Sequence, residues 1–212
     1  MSAIPAPLWI KICGLRKVVD VLAAAAAGAD AVGFVFHGAS PRNLAPSDAR
    51  LLAARVPAGI DKVAVFLHPT QAEVDAAIDA LQPDWVQTDA EDLAGLALPA
   101  GQRVLPVYRT DRALPAHGSL PRRCLVESGR SGTGERADWN QVSRIARQCE
   151  VVLAGGLDAE NGADAIAAVR PFGIDVSSGV EASRGVKDAA LIMNFVNAAR
   201  AQHARLASSS LE

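Results

Sequence analysis

The side chains able to do chemistry fall at the ends of short apolar runs. Cys13 closes LWIKIC, Arg42 stands in the loop HGASPRN, His68 follows DKVAVFL, Thr88 and Asp89 follow DWVQ, and Glu127 closes RCLVE. Gly155 and Gly156 stand in AGGL, after the run EVVLA, and Ser177, Ser178 and Gly179 stand in SSGVE, after GIDV with its Asp175. A thiol and a carboxyl can exchange protons with a substrate, and a guanidinium can hold a carboxylate by two parallel hydrogen bonds. Adjacent small residues bring backbone N–H groups together with no Cβ between them, which makes a nest for an anion. No lysine ends a run after the first, so the set offers no Schiff base.

Positioning these residues requires regular elements, and the order of the runs supplies them. Strands are expected at 8–13, 31–36, 61–67, 84–87, 103–108, 123–127, 150–154 and 173–177, with helices at 18–28, 46–56, 70–81, 139–149, 158–169 and 186–206. Several helices begin at Ser, Thr or Asp, the residues that cap free N–H groups. The connection AEDLAGLAL is short. TDRALPAHGSLP is broken by Pro115, Gly118 and Pro121, so the fifth helix is expected to be replaced by loop. Apolar runs without alternation suit strands buried on both faces, and each strand–helix–strand step imposes a parallel, right-handed crossover. Eight such units in a chain of this length predict an α/β fold, a single (β/α)8 barrel over residues 1–206, with 207–212 a disordered or appended tail. A doubly wound open sheet would carry a glycine-rich turn after its first strand, and CGLRK is not one. In a barrel the strand ends share one mouth, and phosphate sits in the loops after the seventh and eighth strands. Gly155, Gly156, Ser177, Ser178 and Gly179 are therefore expected to bind the phosphate of a small phosphorylated substrate.

Bulk properties narrow the partners. The 212 residues carry a formal charge of −2 with pI near 6.1 and no run of Lys or Arg, which provides no field for nucleic acid. VLAAAAAGA is far shorter than the roughly 20 apolar residues that span a bilayer. Cys13, Cys124 and Cys149 are odd in number and in no metal-ligand spacing, and the N-terminus lacks a secretory pattern. A reducing, cytoplasmic setting without a bound metal is expected. Cys124 and Cys149 read as small buried hydrophobes, and His37 and His68 as solvated loop residues.

KICG (11–14), VGFVFHGASPRNL (32–44), SGTGERADW (131–139), LAGGLDAEN (153–161) and GIDVSSGVEASRGVKD (173–188), in this order, resemble phosphoribosylanthranilate isomerase of tryptophan biosynthesis. The resemblance implies a cofactor-free Amadori rearrangement, with Cys13 as general base, Glu127 as general acid and Arg42 on the anthranilate carboxylate. A thiolate is competent if its pKa falls below the usual value of about 8.5, as neighbouring cations can achieve. The chain departs from the family pattern twice. Glu127 stands where the family usually has Asp, and Asp89 where it typically has His. Asp175 is expected either to hydrogen-bond the substrate's amine or hydroxyl or to be paired structurally. A histidine-pathway isomerase would carry phosphate loops in both halves and two aspartates, and a non-catalytic phosphate-binding barrel is the remaining alternative. Monomer and homodimer are both compatible with the sequence.

Overall fold

The computed structural model describes residues 7–112, 114–115, 118–129 and 134–209. Strands β1 (Trp9–Cys13), β2 (Ala31–Val35), β3 (Asp61–Val65), β4 (Trp85–Asp89), β5 (Arg103–Arg109), β6 (Arg123–Glu127), β7 (Glu150–Leu153) and β8 (Gly173–Val176) form a closed barrel in sequence order. Every neighbouring pair is parallel, and β8 returns to β1 with Asp175 opposite Lys11.

Helices α1 (Val18–Ala27), α2 (Pro46–Ala53), α3 (Gln71–Leu81), α4 (Ala90–Leu93), α5 (Trp139–Ala146), α6 (Gly162–Val169) and α7 (Ala189–Ser209) make the outer layer. The fold class and the missing fifth helix agree with expectation: among the described residues between β5 and β6 there is no helix. Local chemistry explains the changed boundaries. Asp158 Oδ1 accepts from the N–H groups of Glu160 and Asn161, which holds 158–161 as a turn, so α6 starts later than the sequence predicts. Val186–Lys187 (β10) pairs antiparallel with Glu181–Ser183 (β9), and this hairpin delays α7. The last helix then runs through Ser209, past the boundary expected at 206.

Strand alternation sorts side chains into two layers. Ile10 and Ile12 face the helices, with Phe34, Val126, Ile174 and Val176 in the same apolar layer. Ala31, Val63, Trp85, Leu105, Leu125 and Val152 fill the barrel interior, with Trp9 packed against them. Counting by two from these interior residues points Cys13, Asp89, Arg109 and Glu127 inward at the strand ends. The barrel thus aims its polar side chains at one mouth. Among the described residues no helix is long and apolar enough to cross a membrane.

Candidate active site

A cavity of about 230 Å³ opens at the C-terminal mouth, and its walls include Cys13, Arg42, Gln87, Asp89, Arg109, Glu127, Asp175 and Ser177. A smaller hollow of about 50 Å³ is bounded by Ser128, Gly134, Gly155, Gly156 and Ser178. Glu127, Asp175 and Ser177 border both spaces, so the two are contiguous. Of the strand-end residues singled out from the sequence, Cys13, Arg42, Asp89, Glu127, Gly155, Gly156, Asp175, Ser177 and Ser178 line one or the other, whereas His68, Thr88 and Gly179 do not.

The smaller hollow is made by backbone. Gly155 and Gly156 have φ of 90° and 63°, and a Cβ on Gly156 would stand 2.6 Å from the Gly134 carbonyl oxygen. Gly134 belongs to SGTGERADW, whose residues 131–133 lie outside the described residues. Ser178–Val180 forms one 3-10 turn after β8. Gly179 packs that turn on the loop after β7, since a Cβ there would overlap the Leu157 carbonyl. Its part is to bring the two loops together rather than to line the space.

Cys13 is 7% exposed at the end of β1. Its carbonyl accepts from the Ser177 hydroxyl at 3.1 Å, which ties β1 to the eighth loop. Gly33 beside it has no side chain for a reason: a Cβ there would stand 2.9 Å from Cys13 Sγ and 3.1 Å from Lys11 Cε. Burial pushes the Cys13 thiol above its ordinary pKa, against the pull of the Lys11 and Lys187 ammonium groups. This departs from the lowered value that the sequence reading required of a ready thiolate. Desolvation of the largely buried sulfur outweighs two cations already shared with carboxylates.

Those carboxylates are Asp175 and Glu181. Lys11, with no exposed surface, donates to Asp175 Oδ1 at 3.0 Å. Burial alone would lower the Lys11 ammonium, but Asp175 and the Cys13 thiol carry it above its ordinary value. Asp175 is therefore structurally paired and also borders the cavity. Lys187 donates to the Ser177 carbonyl at 2.8 Å and to Glu181 Oε1 at 2.8 Å.

Arg42 faces a protein carboxylate, not open space alone. Its Nε and Nη2 donate to Glu181 Oε1 and Oε2 at 2.7 and 2.9 Å, both side chains being almost fully buried. The aliphatic stem passes over Gly14, where a Cβ would come within 2.5 Å of Arg42 Cδ. The glycine of KICG is needed for that passage. Among the described residues Nη1 has no hydrogen-bond partner, and Arg42 lines the cavity.

At the opposite wall, Arg109 donates from Nη2 and Nε to Asp89 at 2.6 and 3.3 Å, and its Nη1 lies 2.8 Å from Glu127 Oε1. Sequence reasoning missed Arg109 because the fifth run was ended at Tyr108, whereas β5 extends one residue further. It also missed Gln87, whose buried Oε1 lacks a hydrogen-bond partner among the described residues. The signal available was the period of two along DWVQTD, which places Gln87 inward with Trp85 and Asp89. Glu181 was visible in the motif, but its partner lies 139 residues away.

His37 lines the cavity, and the exposed His68 ring contacts Asp92 at 3.0 Å. That hydrogen bond raises the imidazole's pKa. Oxygen or nitrogen atoms of His68, Asp89 and Glu91 lie within 4.8 Å of one another. Each is already paired, to Asp92, Arg109 and Arg112 respectively, so the cluster reads as an ion-pair rim. Cys124 and Cys149 pack sulfur to sulfur at 3.7 Å beside α5, away from both spaces.

Residues 10–198 match the family described as N-(5'phosphoribosyl)anthranilate (PRA) isomerase. The N-(5'-phosphoribosyl)anthranilate isomerase of Pseudomonas paraeruginosa (strain DSM 24068 / PA7) is 40% identical over 202 residues, covering 91% of this chain and 95% of the relative. The crystal structure of phosphoribosyl anthranilate isomerase from Thermus thermophilus superposes with a TM-score of 0.79 at 28% identity, covering 94% of this chain and 100% of that one. A crystal structure of a phosphoribosyl anthranilate isomerase in complex with reduced 1-(o-carboxyphenylamino)-1-deoxyribulose 5-phosphate gives a TM-score of 0.73 at 28% identity, covering 92% of this chain and 99% of that one.

Proposed function

The chain belongs to the N-(5'-phosphoribosyl)anthranilate isomerase family, and we propose that Cys13 is its general base, Glu127 its general acid, and the loops after β7 and β8 its phosphate cradle. It is an isomerase of tryptophan biosynthesis, converting N-(5'-phosphoribosyl)anthranilate to 1-(2-carboxyphenylamino)-1-deoxyribulose 5-phosphate. The observation that carries the residue assignment is contiguity. Cys13 and Glu127 stand on separate strands of one cavity, and Glu127 also borders the glycine-serine hollow.

The steps follow from that layout. Phosphate seated against the backbone near Gly155, Gly156 and Ser178 places the ribose between Glu127 and Cys13, and the anthranilyl ring toward Arg42. Glu127 donates a proton to the ring oxygen as the C1–O bond breaks, leaving an iminium and a new hydroxyl. The iminium acidifies the C2 hydrogen, which Cys13 removes as a thiolate; the resulting enolamine takes that proton at C1 from the Cys13 thiol while its C2 hydroxyl gives a proton back to the Glu127 carboxylate, which yields the ketose and restores both groups. One acid and one base suffice, and no group is consumed.

Nη1 of Arg42 is the donor for the anthranilate carboxylate, assisted by Arg184 on the same cavity wall. The unpartnered Gln87 Oε1 accepts from a substrate hydroxyl or amine, a role that also explains its retention in a buried position. Asp175, held by Lys11, offers a second acceptor.

The test is the fluorescence decay of N-(5'-phosphoribosyl)anthranilate on adding the purified protein. Cys13→Ser and Glu127→Gln are each expected to lose roughly 100-fold or more in kcat, within the range for removing an acid or base, with smaller changes in KM. Turnover near the wild-type rate in either variant removes that residue from its role.

A further inference from the structure

The two positions at which the chain departs from the family pattern are joined. Arg109 touches both: its Nε and Nη2 edge is on Asp89, and Nη1 is on Glu127. The three side chains come from β4, β5 and β6, and their exposures of 5%, 7% and 14% make a buried row of carboxylate, guanidinium and carboxylate. We propose that Arg109 is the positioning residue for the proton donor, and that Asp89 anchors its guanidinium and offsets its charge, so that Glu127 is aimed at the substrate by a hydrogen bond without being locked as a carboxylate. This rests on the reading of Glu127 as the donor.

A lone guanidinium would hold Glu127 in the wrong form. A positive charge in contact with a carboxylate favours its ionised form and so opposes proton donation. Asp89 changes the balance. With Glu127 ionised the row carries one net negative charge, with two carboxylates on one cation; with Glu127 protonated it is neutral. Protonation of Glu127 then relieves repulsion between like charges, while Arg109 Nη1 still has an oxygen to donate to. The planar fork is what permits this, because one edge holds Asp89 and the remaining nitrogen reaches Glu127. Lysine offers one charge centre and cannot reproduce that division.

The surroundings leave the task to Asp89. On the solvent side, His68 Nε2 is 4.0 Å from Asp89, at 56% exposure, and Asp111 adds a further negative charge near Arg109. On the barrel side, Cys13 and Asp175 line the same cavity, and Asp175 is paired with Lys11. Asp89 is the only carboxylate with two hydrogen bonds from Arg109 among the contacts of the described residues. The longer side chain of Glu127 fits the same scheme, since its extra methylene carries the carboxyl to Nη1.

The experiment is steady-state kinetics of the full chain with N-(5'-phosphoribosyl)anthranilate, in wild type and in a Glu127→Gln background. Arg109→Lys and Asp89→Asn are expected to lower kcat about tenfold or more while KM stays within about threefold, because the donor is misaimed or over-stabilised rather than the substrate released. Asp89→Glu, which keeps the charge, is expected to recover much of the loss. In the Glu127→Gln background both substitutions should have little further effect, since residues that act through one group are non-additive. Near-ultraviolet circular dichroism checks folding. If Asp89→Asn does not fold, Asp89→Glu and Arg109→Lys carry the test. Should Glu127→Gln be inactive while Arg109→Lys and Asp89→Asn keep normal kcat, the inference falls and the donor assignment stands. The inference also falls if the two losses persist undiminished without Glu127, or appear in KM alone. If Glu127→Gln turns over normally, donor and positioning residue are lost together.

Discussion

The carboxylate of Glu181 holds Arg42 along one full edge of the guanidinium, 2.7 Å from Nε and 2.9 Å from Nη2, while Lys187 Nζ caps the same Oε1 at 2.8 Å. Arg42 is thereby fixed before any ligand arrives, with Nη1 as its remaining corner. Preorganisation of this kind lowers the ordering cost of binding. Glu181→Gln should therefore raise KM about tenfold with a smaller change in kcat, although Glu181 itself makes no contact with substrate. Arg42→Lys, unable to hold Glu181 and the anthranilate carboxylate together, should do at least as much. Unchanged KM in both variants would leave the pair as a purely structural tie.

The same ion cluster fixes an acid dependence of stability. Burial would raise the Glu181 carboxyl, but Arg42, Lys187 and the Gly185 N–H together take it from its ordinary 4.5 down to about 2. A carboxylate depressed in the folded state stabilises the fold fully above pH 4.5 and loses that contribution as pH falls toward 2. The displacement corresponds to on the order of 3 kcal/mol. Urea denaturation at pH 6 and pH 3 should show a smaller difference for Glu181→Gln than for wild type. Identical differences would refute the assignment.

The barrel was legible because its determinants are local: β-branched runs, alanine-rich segments and small residues at strand ends each declare themselves within a dozen positions. Cys13, Glu127 and the glycine loops followed from their place at strand ends. What was not legible depends on partners distant in the chain. Arg42 reads as a ligand-facing cation until Glu181 is brought against it, and Asp89 reads as a lost histidine until Arg109 is seen to fill the gap. The raised Cys13 thiol was also out of reach, since whether burial or Lys11 wins depends on how completely the sulfur is enclosed.

Gln87 offers a test in which stability and activity move apart. A buried acceptor without a partner costs about 1–3 kcal/mol, so Gln87→Leu should leave thermal stability unchanged or raise it. Losing the substrate hydrogen bond should at the same time reduce kcat/KM roughly tenfold or more. A stable variant with full activity would show that Gln87 makes no contact with substrate.

The phosphate cradle can be probed with inorganic phosphate as a competitive inhibitor. Gly156 has φ of 63° and its missing Cβ lies 2.6 Å from the Gly134 oxygen, so Gly156→Val forces the two loops apart and intrudes on the hollow. KM and the phosphate inhibition constant should rise in parallel, by about tenfold or more, because both ligands use the same N–H groups. A raised KM with unchanged phosphate inhibition would place the phosphate elsewhere.

The alkaline limb of the pH–rate profile should report the Cys13 thiol. Burial raises the Cys13 thiol above its ordinary 9.0, with Asp175 adding to the rise and Lys11 and Lys187 opposing it. At neutral pH Cys13 therefore rests as a thiol, whereas the reaction needs a thiolate together with a protonated Glu127. The reactive form is a minor tautomer in which the single proton has moved from sulfur to carboxyl. As pH rises through the Cys13 value that proton is lost altogether, the donor disappears, and kcat/KM must fall even though the base is now fully ionised. The midpoint of that fall should lie above 9.0 and coincide with the midpoint for alkylation of Cys13 by iodoacetamide, followed by peptide mapping so that Cys124 and Cys149 are scored separately. Cys13→Ser should remove the limb along with most of the activity. A Cys13 alkylation midpoint below the ordinary value would mean that the lysines prevail over burial, and the minor-tautomer scheme would give way to a preformed thiolate.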